Sequence, residues 1–582
     1  MSALKFGGPK RLWWLGLILG VLGIVFAVGA LAGAFTLHSG LVGKVKAKFS
    51  STETVEKLPS IVWKKRETGL ATIETMEIPL GNMDGDTPGG SLVSVGDTVI
   101  IATGLGRIGY VNVKTGEIGY LDANVPMNID GFVDNPLKDN LAFIKVRFRI
   151  HDALLLPKEN DVYQYVIAHH YYDDEKICLR ISSADLTMTD GIPELKTEFE
   201  TRFQTHPCFD FDNFEAYGFN GHMSGGRLHH AEGNSVYLTV GDFGFNFETP
   251  EAGSEYDGEE SHLTTLLKID LDTGESEIVA EGMRNPQGLE VDDLGRIWTT
   301  EHGPQGGDEV NLVEPGKHYG WPKASMGVEY GGGHFVRQPI PASEVQGSHD
   351  GFEKPIYAFI PSIGVSQLIA IPSQSKAFSL WQGDLLVGSL RGQSLFRIRL
   401  EGERAVYAEP IPLKDRLRDI ILLDDGRIAM FTAGKNLLMF RDPEVHRGQN
   451  ESNAPILLSG YEAVKARETE LADAVESSWG KKIFRLNCSL CHMLDGSSGV
   501  GPDILNVVGS EIGGQENYPY SPALADADGR WTRSNLKKFI ADPASAGFKG
   551  SAMPPTPQIG KWEMEALLDF LEDEAPKLSG EK

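Results

Sequence analysis

Between about residue 70 and residue 440 the apolar positions come in short runs broken by Gly, Asp and Asn, and no helical periodicity is sustained. One unit recurs: a tight polar turn, a few apolar residues, then a small residue. It reads GDTVIIATG from Gly96, NDVYQYVIA from Asn160, GNSVYLTVG from Gly233, GRIWTTEHG from Gly295, GDLLVGSL from Gly383 and GRIAMFTAG from Gly426. The mean spacing is about 66 residues, room for four strands of roughly five to six residues with their loops, which predicts six four-stranded blades around a central channel. The intervals are uneven, so a pair of β-sandwiches stands as the alternative. Part of the unevenness is loop: residues 323–352 read as an insertion, and the acidic run 247–261 as a solvated segment.

Two different patterns flank this region. Leu12 to Leu37 carries no charge and follows Lys5, Lys10 and Arg11, a length that suits a transmembrane helix and exceeds the apolar part of a signal peptide. Ala30, Ala32 and Ala34 keep a cleaved signal peptide open as the alternative, and either outcome exports the rest of the chain. The basic N-terminus is expected to stay in the cytoplasm, with Lys44, Lys46 and Lys48 weakening the asymmetry. Gly16 and Gly20, and Gly29 and Gly33, have the spacing at which two membrane helices approach closely, which allows a homodimer. At the other end, Ser477 to Asn487 and Lys561 to Glu574 have amphipathic helical patterns.

The expected fold is therefore multidomain. It comprises a cytoplasmic N-terminus (1–11), a transmembrane helix (12–37), a linker (38–69), a six-bladed all-β propeller (70–440), a second linker (441–476) and an all-α C-terminal domain (477–582). Composition narrows what such a chain does. Asp and Glu number 81 against 54 Lys and Arg, a formal charge of -27, so no basic surface remains to neutralise phosphates and nucleic acid is excluded as a partner. Four Cys are too few for a disulfide scaffold. Cys178 and Cys208 either pair, as an exported domain permits, or stay as two buried thiols.

The other two sit in Cys488-Ser-Leu-Cys491-His492. At this spacing two thiols add to the haem vinyl groups while the adjacent imidazole reaches the iron. No second Cys pair exists to complete a zinc site. Gly501-Pro502, Trp531, Asp542-Pro543 and Gly550-Ser-Ala-Met553-Pro follow, and the segment resembles a class I cytochrome c. That resemblance implies haem c with His492 and Met553 as axial ligands; Met493, beside the proximal His, cannot reach the opposite face. It also implies attachment outside the cytoplasm, hence a single-pass protein of the inner membrane with propeller and haem domain in the periplasm.

Residues 282–322 place Arg284, Asn285, Glu301 and His302 at strand ends, where the loops of a propeller form its binding face. The run resembles the soluble glucose and sorbosone dehydrogenases, six-bladed propellers that use pyrroloquinoline quinone and Ca²⁺. The resemblance implies that Arg284 and Asn285 hydrogen-bond the quinone, Arg284 stabilising charge on its reactive oxygen. Gly303 and Pro304 would offer carbonyls to Ca²⁺, and Asp308, Glu309 and Tyr319 lie where a second, structural calcium is placed. Arg416 and Arg418, in Asp415-Arg-Leu-Arg-Asp419, would bind the cofactor's carboxylates. His222, ahead of Gly226-Arg227-Leu228, would be the general base, with Asp242 orienting it. The sequence departs from the family pattern at Gly221, His302 and Arg391, and its first blade shows no cofactor-binding Gln.

The implied function is an anchored quinoprotein dehydrogenase. An aldose or related alcohol would pass a hydride to the quinone, and the fused haem would carry the electrons to a respiratory acceptor, a cytochrome or an oxidase. The alternative is a propeller without quinone that serves as a docking module, leaving the cytochrome as a shuttle in a membrane complex.

Overall fold

The structure is a computed structural model. It describes residues 60–80, 89–134, 148–173, 176–210, 222–244, 261–304, 306–327, 349, 351–433, 436–446 and 456–459, and in the C-terminal domain 480, 483–484, 488, 491–494, 498, 500–515, 518–553, 555–556 and 561–574. The expected anchor, most of the acidic run 247–261, most of the insertion 323–352 and Gly221 lie outside the described residues. Among the described residues no helix is long and apolar enough to cross a membrane.

Six antiparallel sheets follow one another in chain order. Their first strands are Gly90–Val95, Ile150–Pro157, Gly225–His230, Pro286–Val291, Val365–Ala370 and Leu417–Leu422. Each first strand packs on the next, and the sixth returns to the first, so the six close into a ring. The expectation of a six-bladed propeller holds, although the sheet of blade 2 has six strands and not four, and each of the six repeated turns is the loop between the first and second strands of a blade. The second strand explains why the repeat was visible. Thr98–Thr103, Ile297–Glu301, Leu385–Ser389 and Ile428–Thr432 are buried at every position, because neighbouring blades cover both faces, and a strand buried on both faces reads as a continuous apolar run.

The sixth blade is built from both ends of the propeller. Asn436–Arg441 pairs with Thr72–Pro79, and Lys64–Glu67, expected in the linker, adds a fifth strand. Arg441 donates to Glu74 across this closure at 2.9 Å, with both side chains buried. The second linker is also tied down: Ile456–Leu457 pairs with Ser60–Ile61, and Ser459 bridges Glu117 of the first blade.

A second lock spans the channel. Arg227 of blade 3 reaches Asp419 of blade 6 at 3.0 Å and Asp152 of blade 2 at 3.5 Å, and donates to the Arg418 carbonyl at 2.7 Å. One guanidinium faces two buried carboxylates. Burial pushes Asp419 up to about 7 and raises Asp152, against the pull of Arg227. The folded chain thus holds protons that the unfolded chain has lost, so this site's stability is present below the ordinary carboxylate range and is lost as pH rises through about 7. The expected result is a Asp419→Asn chain whose urea midpoint falls less between about pH 5 and pH 8 than that of the parent; identical slopes would remove the pair as the source.

In the C-terminal domain, Thr532 caps the helix Arg533–Ala541 in a reciprocal box with Asn535. Arg533 joins this helix to Glu565, Asp569 and Glu572 of the last helical segment. Trp531, Phe539 and Phe548 pack with ring centroids 4.8 to 5.6 Å apart. The buried side chains of blades 1 to 3 and of this domain form one continuous apolar cluster.

Candidate functional site

The loops that enter the first strands, together with those that join second to third strands, carry the predicted residues of four blades at one mouth of the propeller. Arg284 and Asn285 immediately precede Pro286–Val291, and both are buried. The Arg284 backbone N–H donates to Glu301 Oε2 at 2.7 Å, while its guanidinium donates to the His302 and Gly303 carbonyls at 3.1 and 3.0 Å and lies over Trp321. Glu301 also accepts from Asn311 at 2.8 Å. Burial pushes Glu301 up to about 7, against the pull of Arg284. His302 donates Nε2–H to the Val365 carbonyl at 2.6 Å and so pins blade 4 to blade 5.

Arg416 is exposed and Arg418 is half-buried beside it. Burial, then Arg416 and Arg227, lower the Arg418 guanidinium to about 10. Arg418 Nε is buried and meets no hydrogen-bond acceptor among the described residues. A concentrated positive charge with an unmet donor fits a ligand bearing carboxylates, so the arginine part of the site suits pyrroloquinoline quinone. Arg391 is exposed on the turn between the second and third strands of blade 5.

The expected calcium donors are engaged otherwise. The Gly303 carbonyl accepts from Arg284, Asp308 accepts from the N–H groups of Gly303, Gly364 and Val365, and the Tyr319 hydroxyl donates to the Leu312 carbonyl at 2.6 Å. Glu309 is raised well above the usual carboxylate range by burial and then by Glu301. Among the described residues no group of three or more His, Cys, Asp or Glu side chains is arranged to hold a metal.

His222 lies at the entrance to blade 3, where Gly226 has φ +95° and a Cβ would stand 2.4 Å from the His151 ring. Its Nδ1 faces Arg149 Nη2 at 3.3 Å. Asp242, expected to orient it, accepts from Trp321 Nε1 at 3.0 Å and from the Gly244 N–H at 2.9 Å, and its own N–H donates to the Arg284 carbonyl. It braces blade 3 against blade 4. Arg149 was missed at the sequence level; in Arg-Phe-Arg-Ile it reads as ordinary strand alternation, and His222 lies 73 residues away. Cys178 and Cys208 form a disulfide within the sheet of blade 2, between the strand Lys176–Thr189 and the turn that joins two strands paired with it.

The haem motif lines a cavity of about 470 Å³. Cys488, Cys491, His492 and Met553 share it with apolar walls that include Trp531, Phe539 and Leu567, and Met493 is not among its lining residues. His492 Nδ1 donates to the Pro502 carbonyl at 2.7 Å, which leaves Nε2 bare for a metal. A Cβ on Gly501 would sit 2.4 Å from the His492 ring. Residues and cavity fit a covalent haem. The Gly501→Ala chain is expected to bind haem with a displaced His492, seen as loss of the low-spin spectrum; an unaltered spectrum would show that the ring yields freely.

Residues 211–441 match the family described as Glucose / Sorbosone dehydrogenase, and residues 477–574 match Cytochrome c. A glucose/sorbosone dehydrogenase domain is joined to a cytochrome c domain. The first resembles the aldose sugar dehydrogenase YliI of Escherichia coli (strain K12), 29% identical over 249 residues, which cover 40% of this chain and 62% of that one. It also resembles the quinoprotein glucose dehydrogenase B of Acinetobacter calcoaceticus, 27% identical over 278 residues, 36% of this chain and 58% of that one. The cytochrome domain is 30% identical over 109 residues to a cytochrome c homolog of Rickettsia prowazekii (strain Madrid E), 17% of this chain and 61% of that one. The chain spans less than two thirds of the length of each of these relatives. The dehydrogenase domain carries the arginine cluster, and the cytochrome domain carries the haem crevice.

Proposed function

We propose that the chain is a quinoprotein dehydrogenase that oxidises an aldose or related alcohol and delivers the electrons to its own haem. The observation that carries this reading is the convergence of Arg284, Arg418, His222 and His302 at one mouth of a propeller fused to a haem crevice. Pyrroloquinoline quinone, when bound, would supply a two-electron acceptor that can give up its electrons singly. Arg416 and Arg418 would hold its carboxylates, and Arg284 and Asn285 would face its ring. His222 would take the proton of the substrate hydroxyl. A calcium ion entering with the quinone would take the carbonyls of Gly303 and Pro304, the former through the lone pair that Arg284 does not use.

Fusion replaces diffusion of a cytochrome by a high effective concentration, and a Met553 thioether would raise the haem potential so that the haem accepts electrons. The reading extends to a chain anchored by Leu12 to Leu37 in the inner membrane, with both domains in the periplasm, where haem attachment and the Cys178–Cys208 disulfide are chemically at home. A respiratory cytochrome or oxidase would receive the electrons, and the glycine pairs of the anchor allow a homodimer.

The test is to supply the purified full chain with quinone and Ca²⁺ and follow haem absorbance while aldoses are added. Haem reduction that needs both quinone and sugar supports the enzyme. If sugars and alcohols leave the haem oxidised although quinone is bound, the propeller is a docking module.

A further inference from the structure

Behind the arginines that face the cofactor mouth lies one more, on the strand entry of blade 2. Arg149 Nη2 stands 3.3 Å from His222 Nδ1. A guanidinium has donors only and stays charged, so at this contact Nδ1 is the acceptor and the single proton of a neutral imidazole sits on Nε2. We propose that Arg149 is a positioning residue that fixes His222 as a neutral imidazole with Nδ1 as its basic end. This rests on the reading of His222 as the proton acceptor and goes beyond it by naming the atom that accepts and the group that guards it.

The usual partner of a catalytic imidazole is a carboxylate, which holds a proton on one nitrogen and stabilises the imidazolium. Here the charge is reversed. Among the described residues, Arg149 from blade 2, Arg418 from blade 6 and His302 from blade 4 act on His222. Burial first, then Arg149 and Arg418, pull His222 down to about 4. A second proton has to arrive at Nδ1, the atom Arg149 occupies, so proton uptake and loss of the Arg149 contact are one event. The imidazolium formed is a strong acid among cations, which gives the proton up readily to solvent.

Burial of Arg149 is itself costly: its guanidinium is lowered to about 9, by desolvation and then by Arg418. A site of this kind keeps its base unprotonated in mildly acidic surroundings, where an ordinary histidine would already be charged.

The test reads His222 directly, without turnover. The full chain is treated with diethyl pyrocarbonate, which reacts with an imidazole only in its unprotonated form, across a pH series, and the modified His222 peptide is quantified by mass spectrometry. In the parent chain the midpoint is expected near 4. Removing the cation in Arg149→Gln is expected to raise it by about 1 to 2 pH units, and Arg149→Lys to keep it low. The acid limb of quinone-dependent sugar oxidation should move by the same amount. A parent midpoint at the ordinary histidine value near 6.5, or equal midpoints in parent and Arg149→Gln, overturns the proposal. Absence of any sugar oxidation alongside a shifted midpoint would defeat the enzyme reading and leave the Arg149 pairing standing.

Discussion

The Arg418→Ala chain is expected to keep its haem and its fold and to lose quinone-dependent reduction of that haem. Arg418 is half-buried, close to Arg416, Arg149 and Arg227, and its charge is disfavoured in the cofactor-free chain, which is why its guanidinium is lowered to about 10. Removing it relieves repulsion, so stability should stay level or rise slightly. The quinone carboxylate that Arg418 would pair with is then left without its fork. Truncating one partner of a buried charged pair costs about 2 to 5 kcal/mol, or roughly 30- to 5,000-fold in quinone affinity. Opposite signs for stability and binding mark a residue kept for its ligand. Equilibrium binding of quinone, read by its own fluorescence or absorbance beside a urea curve, checks both. A chain that unfolds more easily yet binds quinone normally would assign Arg418 to the scaffold.

The second large effect is at the haem. Cys488→Ala with Cys491→Ala removes both thioethers, and the expected outcome is a chain without covalent haem, with no haem band surviving denaturing electrophoresis and no response to sugar. Met553→Ala should differ in kind: haem stays attached, because His492 and both thiols remain, and its potential falls with loss of the thioether. Spectroelectrochemical titration separates the two. An unchanged potential in Met553→Ala would remove that residue as the axial ligand, although it lines the crevice.

These expectations draw unequally on the sequence. The blade count was legible because the same turn before the second strand recurs six times and burial on both faces makes four of those strands buried throughout, and the haem ligands because Cys-x-x-Cys-His is local. Residues far apart in sequence were legible only in part. Asp419 read as part of a cofactor motif, yet its carboxylate takes the Leu92 N–H at 2.7 Å and Arg227 at 3.0 Å, a structural duty between blades that no spacing reveals. Asp242 read as the orienting acid of His222, and the fold turns it toward Trp321. Arg149 carried no local signal, since its role exists only once blades 2 and 3 stand side by side. Gly303 read as a carbonyl donor to calcium, and in the structure that carbonyl serves Arg284.

Electron transfer from the propeller to the haem within one chain is the central claim, and its rate law tests it most directly. Quinone-loaded full chain is mixed with aldose, and haem reduction is followed by absorbance over a wide range of protein dilution. An intramolecular step gives a first-order rate constant that dilution leaves unchanged. A rate that falls in proportion to protein concentration, or a haem that stays oxidised while the quinone is reduced, would contradict it.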